Sequence, residues 1–153
     1  MSDNLVFAMG EYEALFPTDR QYSKNHMWAQ PFDDVYRCGF TAYAVRLLQD
    51  VYFLEWCVDA GSVLRDRQQI GAIESKKAES DLFAPIAGTF ATINDVAIED
   101  PSVINADAYE QGWLIEIDAP SEPVGLLLPD QYGAHLKEAW EVAQRTIKGQ
   151  VNQ

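Results

Sequence analysis

The chain has 153 residues, 24 of them acidic and 11 basic, for a formal charge of −13. That length suits one compact domain with a modest extension, and the ordinary apolar content with plentiful aromatic residues excludes a wholly disordered chain. So negative a surface repels nucleic acid and anionic membrane and favours basic partner surfaces.

The opening MSDNLVFAMGEYEALF lacks a basic segment followed by an apolar core, so no signal peptide is expected. No apolar run approaches the length of a bilayer span, and a cytoplasmic protein is expected. A short helix is expected over Met9–Phe16. YSKNHMWAQP has strand character at Met27–Trp28 and breaks at Pro31, and DDVYRCGF reads as a strand. Thr41 then caps a short amphipathic helix, AYAVRLLQD, with Tyr43, Leu47 and Leu48 on its buried side. VYFLEWCV is a β-prone run and DAGSVL a turn around Gly61. QQIGAIES and ESDLFAPIAGTFATIN read as short strands with turn signals at Pro85 and Gly88. DVAIEDPSVINADAYEQG reads as a long loop, WLIEID as a strand and PSEPVG as a linker. The end, DQYGAHLKEAWEVAQRTIKG, spaces Leu136, Trp140 and Val142–Ala143 as a helix does, with Asp130 as its cap and Gly149 as its stop. Short strands with helices at the periphery predict a small twisted β-sandwich or flattened barrel.

The segment IGAIESKKAESDLFAPIAG, from Ile70 to Gly88, reads as a hairpin with two lysines at its tip. With Lys76 and Lys77 as a two-residue loop, Glu74 faces Glu79, Ile73 faces Ser80 and Gly71 faces Leu82. Such loops favour Asn-Gly, because the turn needs positive φ. Lysine there implies strain, which at an exposed tip points to function; a charged edge that deters aggregation also accounts for it.

The wider pattern decides between these. ESKKAESDLFAPIAG resembles the lipoyl-attachment segment of the glycine cleavage H proteins, which typically reads ESVKAASDxYxPxxG. The resemblance places the modified lysine at Lys77, with Glu74 three residues before it, Gly88 eleven after and Gly61 sixteen before, as in the family. Lys76 stands where the family usually has a small apolar residue. Downstream, Asn94, Pro101, Asn105, Tyr109, Gly112, Trp113 and Leu114 resemble the family's Asn, Pro-containing loop and Gly-Trp-Leu strand. Upstream, YSKNHMW resembles its Tyr…His-x-Trp strand and CGFTAYA its Gly-Ile-Thr-x-x-Ala turn. A biotin-carrier reading is weaker, since that related fold flanks its lysine with methionines and here the neighbours are Lys76 and Ala78. The family implies a mainly β lipoyl-domain barrel-sandwich hybrid, two small antiparallel sheets with peripheral helices including a C-terminal one. Residues 1–20 would then be an N-terminal extension and 21–153 the H-protein-like lipoyl domain.

The resemblance implies a non-catalytic carrier with lipoic acid in amide linkage to Lys77. A five-membered dithiolane cannot reach the dihedral that disulfides prefer, so the ring opens readily to nucleophiles. Glu74, Glu79 and Asp81 form an acidic shoulder that partner enzymes would read. The N-terminal extension, Cys57 in LEWCVDAG and Cys38 before the GFT turn depart from ordinary H proteins. They look like the lipoate-binding proteins of the heterodisulfide-reductase-like sulfur-oxidation system, which implies transport of sulfur intermediates. Partners would be a lipoate ligase or transferase, a dihydrolipoamide dehydrogenase and a heterodisulfide-reductase-like complex. The alternative is a glycine cleavage H protein, which takes an aminomethyl group from glycine decarboxylase to the aminomethyltransferase. Two cysteines cannot build a disulfide framework; Cys38 and Cys57 would suit sulfur handling if exposed, but a cysteine between aromatics more often packs as a small hydrophobe. His26 and His135 have no spacing that suggests a metal site, so no metal is expected. A carrier that visits several enzymes is most simply a monomer.

Overall fold

The computed structural model describes residues 4–120 and 122–151, with side chains as far as residue 145. Its elements in chain order are β1 (Asn4–Met9), β2 (Tyr12–Pro17), β3 (Gln21–Tyr22), β4 (Met27–Phe32), β5 (Val35–Phe40), α1 (Ala42–Leu48), β6 (Val51–Trp56), β7 (Val63–Leu64), β8 (Gln69–Ser75), β9 (Glu79–Phe83), β10 (Gly88–Ile93), α2 (Asp95–Glu99), α3 (Ser102–Ala106), β11 (Ile115–Asp118) and α4 (Pro129–Val151). Two antiparallel sheets make the body. One has six strands in the order β3-β4-β5-β11-β10-β7 and the other three, β6-β8-β9. Leu54, Ile70, Ile73 and Leu82 of the smaller sheet pack with Met27, Cys38, Phe90, Ile115 and Ile117 of the larger in one buried cluster. Burial alternates along β8, where Gly71, Ile73 and Ser75 are buried, and along β11, where Ile115 and Ile117 are, because alternate side chains share a face. The result is the expected barrel-sandwich architecture, with helices at its margin.

The N-terminal segment departs from expectation. In place of a helix over Met9–Phe16, β1 and β2 form a hairpin through Gly10–Glu11, in a two-stranded sheet of its own. Met9, Ala14 and Phe16 face inward and Val6 and Leu15 outward, an alternation that a helix cannot satisfy. The inward row meets Tyr22, Trp28, Tyr43, Tyr132 and Leu136 in a second buried cluster. Phe16 packs edge-on against both Tyr22 and Tyr132, with ring centroids 5.8 and 5.5 Å away. Tyr132 stacks on Tyr22 at 4.5 Å, which ties α4 to the same cluster. Met1–Asp3 of the expected extension lie outside the described residues.

Other differences are local. β4 runs through Pro31 to Phe32, because β3 covers only Trp28 and Ala29 and leaves Pro31 at an edge where a missing N–H can face solvent. The long loop contains α2 and α3, each too short to show a helical period. Asn94 caps α2 by accepting from Val96 N–H. Thr41 caps α1 as expected, but Tyr43 and Ala44 are its buried residues and Leu47 is exposed. α4 starts at Pro129, so Asp130 sits in its first turn, and it continues past Gly149 to Val151. Val142 faces solvent. No helix among the described residues is long and apolar enough to cross a membrane.

The second cluster makes the hairpin part of the folded body. Phe16→Ala should therefore destabilise the protein by about 3 kcal/mol in denaturant unfolding; an unchanged midpoint would mean that the hairpin merely rests on the surface.

Candidate functional site

The β8–β9 hairpin has the expected register. Glu74 pairs with Glu79, Ile73 with Ser80 and Gly71 with Leu82. Lys76 and Lys77 form its tip and are exposed, as is Ala78 after them. The expected strain is absent: neither lysine is among the described non-glycine residues with positive φ, which are His26, Asp33, Gln49 and Arg67. Ser75 makes the difference. Its N–H donates to Ala78 O at 2.9 Å, and its buried hydroxyl accepts from Ala78 N–H at 3.1 Å. The side-chain oxygen thus takes the place of the backbone acceptor that a tight hairpin turn ordinarily supplies. Lys76 N–H donates across to Asp50 O at 2.8 Å, which anchors the tip to the start of β6.

Neither lysine has an ion-pair partner among the described residues. Glu74 and Glu79 stand directly opposite each other, an arrangement that costs stability without a cation between them. Asp81, two residues farther along β9, borders an open cleft of about 330 Å³. His26, Met27, Phe40, Leu47, Leu48 and Phe83 line the same cleft. Ser80, the nearest lining residue to the tip, is three residues from Lys77, roughly 10 Å along an extended strand. An exposed, unpaired amine beside an apolar cleft fits a lysine that carries a long, apolar acyl group.

His26 anchors the cleft floor with a left-handed backbone, φ 67°. Its Nδ1 lies 3.0 Å from the Tyr132 hydroxyl, which lies 2.8 Å from Thr41 Oγ1. The ring also stacks on His135 at 5.4 Å, a pairing of two distant histidines that no local spacing announces. Burial, and secondarily the neighbouring His135, lowers the His26 imidazole to about 4.

Gly61 and Gly88 lie away from the lysine. Gly61 follows β6 and Gly88 opens β10, at the opposite end of the β6–β8–β9 strands from the tip. Their part is conformational: Gly61 has φ +92°, and at Gly88 (φ +155°) a Cβ would stand 2.6 Å from Asp118 O. Cys38 is fully buried between Ala29 and Ile115 on β5, and burial raises its thiol well above the ordinary range. The exposure that sulfur handling requires is therefore not met at Cys38. Cys57 is exposed, contrary to core packing, but it follows the end of β6 that pairs with Gly71, away from the tip. Three residues hold the tip, Ser75, Asp50 and Asn105. Asn105 is visible in the sequence as part of the family resemblance and Ser75 as a polar residue at an inward strand position, but nothing local points to Asp50, whose carbonyl does the holding.

The Glycine cleavage H-protein family model matches residues 20–139. The chain belongs to the glycine cleavage H-protein family. It is 40% identical over 121 residues to a probable glycine cleavage system H protein of Natronomonas pharaonis, covering 78% of this chain and 95% of the relative. It is 34% identical over 116 residues to the glycine cleavage system H protein of Thermobifida fusca, covering 76% and 91%. The crystal structure of the glycine cleavage system H protein from Mycobacterium marinum superposes with a TM-score of 0.72 at 32% identity, covering 80% of this chain and 99% of that one. Glycine cleavage H proteins are non-catalytic and carry lipoic acid covalently on a lysine. The β1–β2 hairpin lies before the matched region.

The low His26 value has a pH signature. The unfolded imidazole takes up a proton near pH 6.5 and the folded one only near 4. Stability from this group is thus fully present above pH 6.5 and lost as pH falls toward 4, by on the order of 3 kcal/mol. His26→Asn, which tolerates the left-handed backbone, should flatten that segment of the stability–pH curve; parallel curves for the two proteins would contradict a buried neutral imidazole.

Proposed function

We propose that Lys77 is the lipoyl-bearing residue and that the protein serves glycine cleavage, taking an aminomethyl group from glycine decarboxylase to the aminomethyltransferase. The carrying observation is the Lys77 amine, exposed and unpaired at the apex of an anchored hairpin beside an apolar cleft. The names of the relatives and of the solved structure support the glycine cleavage reading over the sulfur-oxidation one. When attached, the dithiolane supplies the reactive sulfurs. The chain's own residues do the rest: Ser75 and Asp50 hold the tip in one place, and Glu74 and Glu79 offer partners a negative surface. Asp81, the one carboxylate on the cleft wall, faces the space where a positively charged cargo would shelter. A lipoate ligase or transferase installs the arm, and a dihydrolipoamide dehydrogenase reoxidises it.

One observation favours a second reading. Asp81 is the only charged side chain among the described residues that line the cleft; the remaining polar ones, Asn25, Ser80 and a neutral His26, carry no charge, which suits an uncharged sulfur cargo delivered to a heterodisulfide-reductase-like complex. Cys57, exposed, is the thiol that reading retains.

Reconstitution with glycine decarboxylase from a relative separates the two. The lipoylated protein should support glycine-dependent exchange of carbon dioxide. Lys77→Arg should reduce the rate to background, while Lys76→Arg should keep it. Complete lipoylation without exchange would overturn the glycine reading and leave the sulfur one.

A further inference from the structure

Two adjacent lysines at one tip pose a selection problem. Both side chains are exposed and neither ammonium is ion-paired among the described residues, so charge does not distinguish them. Their backbones differ. Lys76 N–H is held by Asp50 O at 2.8 Å, whereas Lys77 N–H has no partner among the described residues. Asp50 belongs to a strained elbow between α1 and β6. Gln49, which ends α1, has φ 60° and ψ −142°, a conformation that persists only where its surroundings impose it. Asn105 of α3 supplies much of that imposition. Its Nδ2 donates to Gln49 O at 2.6 Å, and its Oδ1 accepts from Val51 N–H at 2.9 Å. One side chain therefore clasps the residues on both sides of Asp50 and fixes where the Asp50 carbonyl points.

We propose that Asn105 is a positioning residue for lipoylation: by clasping the Gln49–Val51 elbow it pins Lys76 and leaves Lys77 as the amine that the lipoylating enzyme receives. The proposal rests on the assignment of Lys77 as the modified residue. In the step concerned, the lipoate carboxylate attacks the α-phosphate of ATP, the α–β phosphoanhydride bond breaks, pyrophosphate leaves and an acyl-adenylate forms. The lysine nitrogen forms the amide bond, the acyl–phosphate bond breaks, AMP leaves and the amine's proton passes to water. The ligase's geometry accepts one apex position, so the side chain presented there takes the acyl group. Without the clasp Gln49 relaxes out of its left-handed conformation, the Asp50 carbonyl swings, and the loop can offer either lysine.

The test is lipoylation of the apo full chain by a lipoate ligase with lipoate and ATP, followed by peptide mapping of the adduct. The wild type should carry it on Lys77. Asn105→Ala should raise the share on Lys76 at least about fivefold, the factor that one lost hydrogen bond of ordinary strength carries, and should speed exchange of the Lys76 amide by a similar factor. Asn105→Asp keeps the bond from Val51 and loses the donor to Gln49. It should give an intermediate ratio, and it carries the test should the alanine variant fail to fold. Lys77→Arg should be unmodified, and Lys77→Arg with Asn105→Asp should gain adduct on Lys76. An unchanged site ratio in folded variants, or a wild type modified mainly on Lys76, would overturn the inference. The first of these leaves the carrier assignment standing. A wild type modified on neither lysine, under conditions that lipoylate a known H protein, would remove that assignment and the inference together.

Discussion

The backbone hydrogen bond from Lys76 N–H to Asp50 O is the interaction on which the site depends. A two-residue loop of exposed lysines has no side-chain packing of its own to fix it. Its order must come from the backbone and from what holds the backbone's partners. Ser75 closes the loop from within, through its N–H and its hydroxyl to Ala78. Asp50 holds it from the side. The elbow that carries Asp50 is fixed by the cap of α1, where Gln49 N–H donates to Val45 O, and by the side chain of Asn105. The tip is thus tied to two helices through three consecutive residues. For a carrier whose arm must be found by several enzymes, that stiffness keeps the amine where each expects it.

The rest of the fold serves the same end at longer range. The β6–β8–β9 sheet is buried on one face, so its register cannot slip without turning Ile73 and Leu54 into solvent. The outward face places Glu74 opposite Glu79 beside the tip, a local cost that a basic partner surface would offset. On the flank, α1 and β4 wall an apolar cleft whose histidine is linked through Tyr132 to α4. The N-terminal hairpin packs on that same tyrosine and on Tyr43 of α1, with Phe7 at 6.1 Å from the Tyr43 ring. Residues outside the family's matched region therefore buttress the cleft wall.

Much of this was legible in the sequence because it is local or periodic. The hairpin register follows from alternation on either side of KK, and the Thr41 cap and the strand runs follow from residue type. The attachment motif was legible by resemblance. What was not legible depends on contacts between distant segments. Nothing in MGEYEALF distinguishes a short helix from a strand until its inward row meets Tyr22 and Tyr132. The lysines lack the positive φ expected of them, and Ser75 supplies a side-chain acceptor at the turn that residue type alone did not announce. Cys38 and Cys57 read alike as residues in aromatic-rich strands. Only the position of Cys38 between two neighbouring strands, against that of Cys57 beyond the end of β6, separates them.

The central claim is that the tip has one conformation in solution, and backbone ¹⁵N relaxation of the apo protein tests it most directly. The account predicts order parameters for Lys76 and Ala78 near the ~0.85 of a rigid backbone. Values below ~0.6 at Lys76, as in a freely moving loop, would contradict it, since the bond to Asp50 would then not hold the lysines in place.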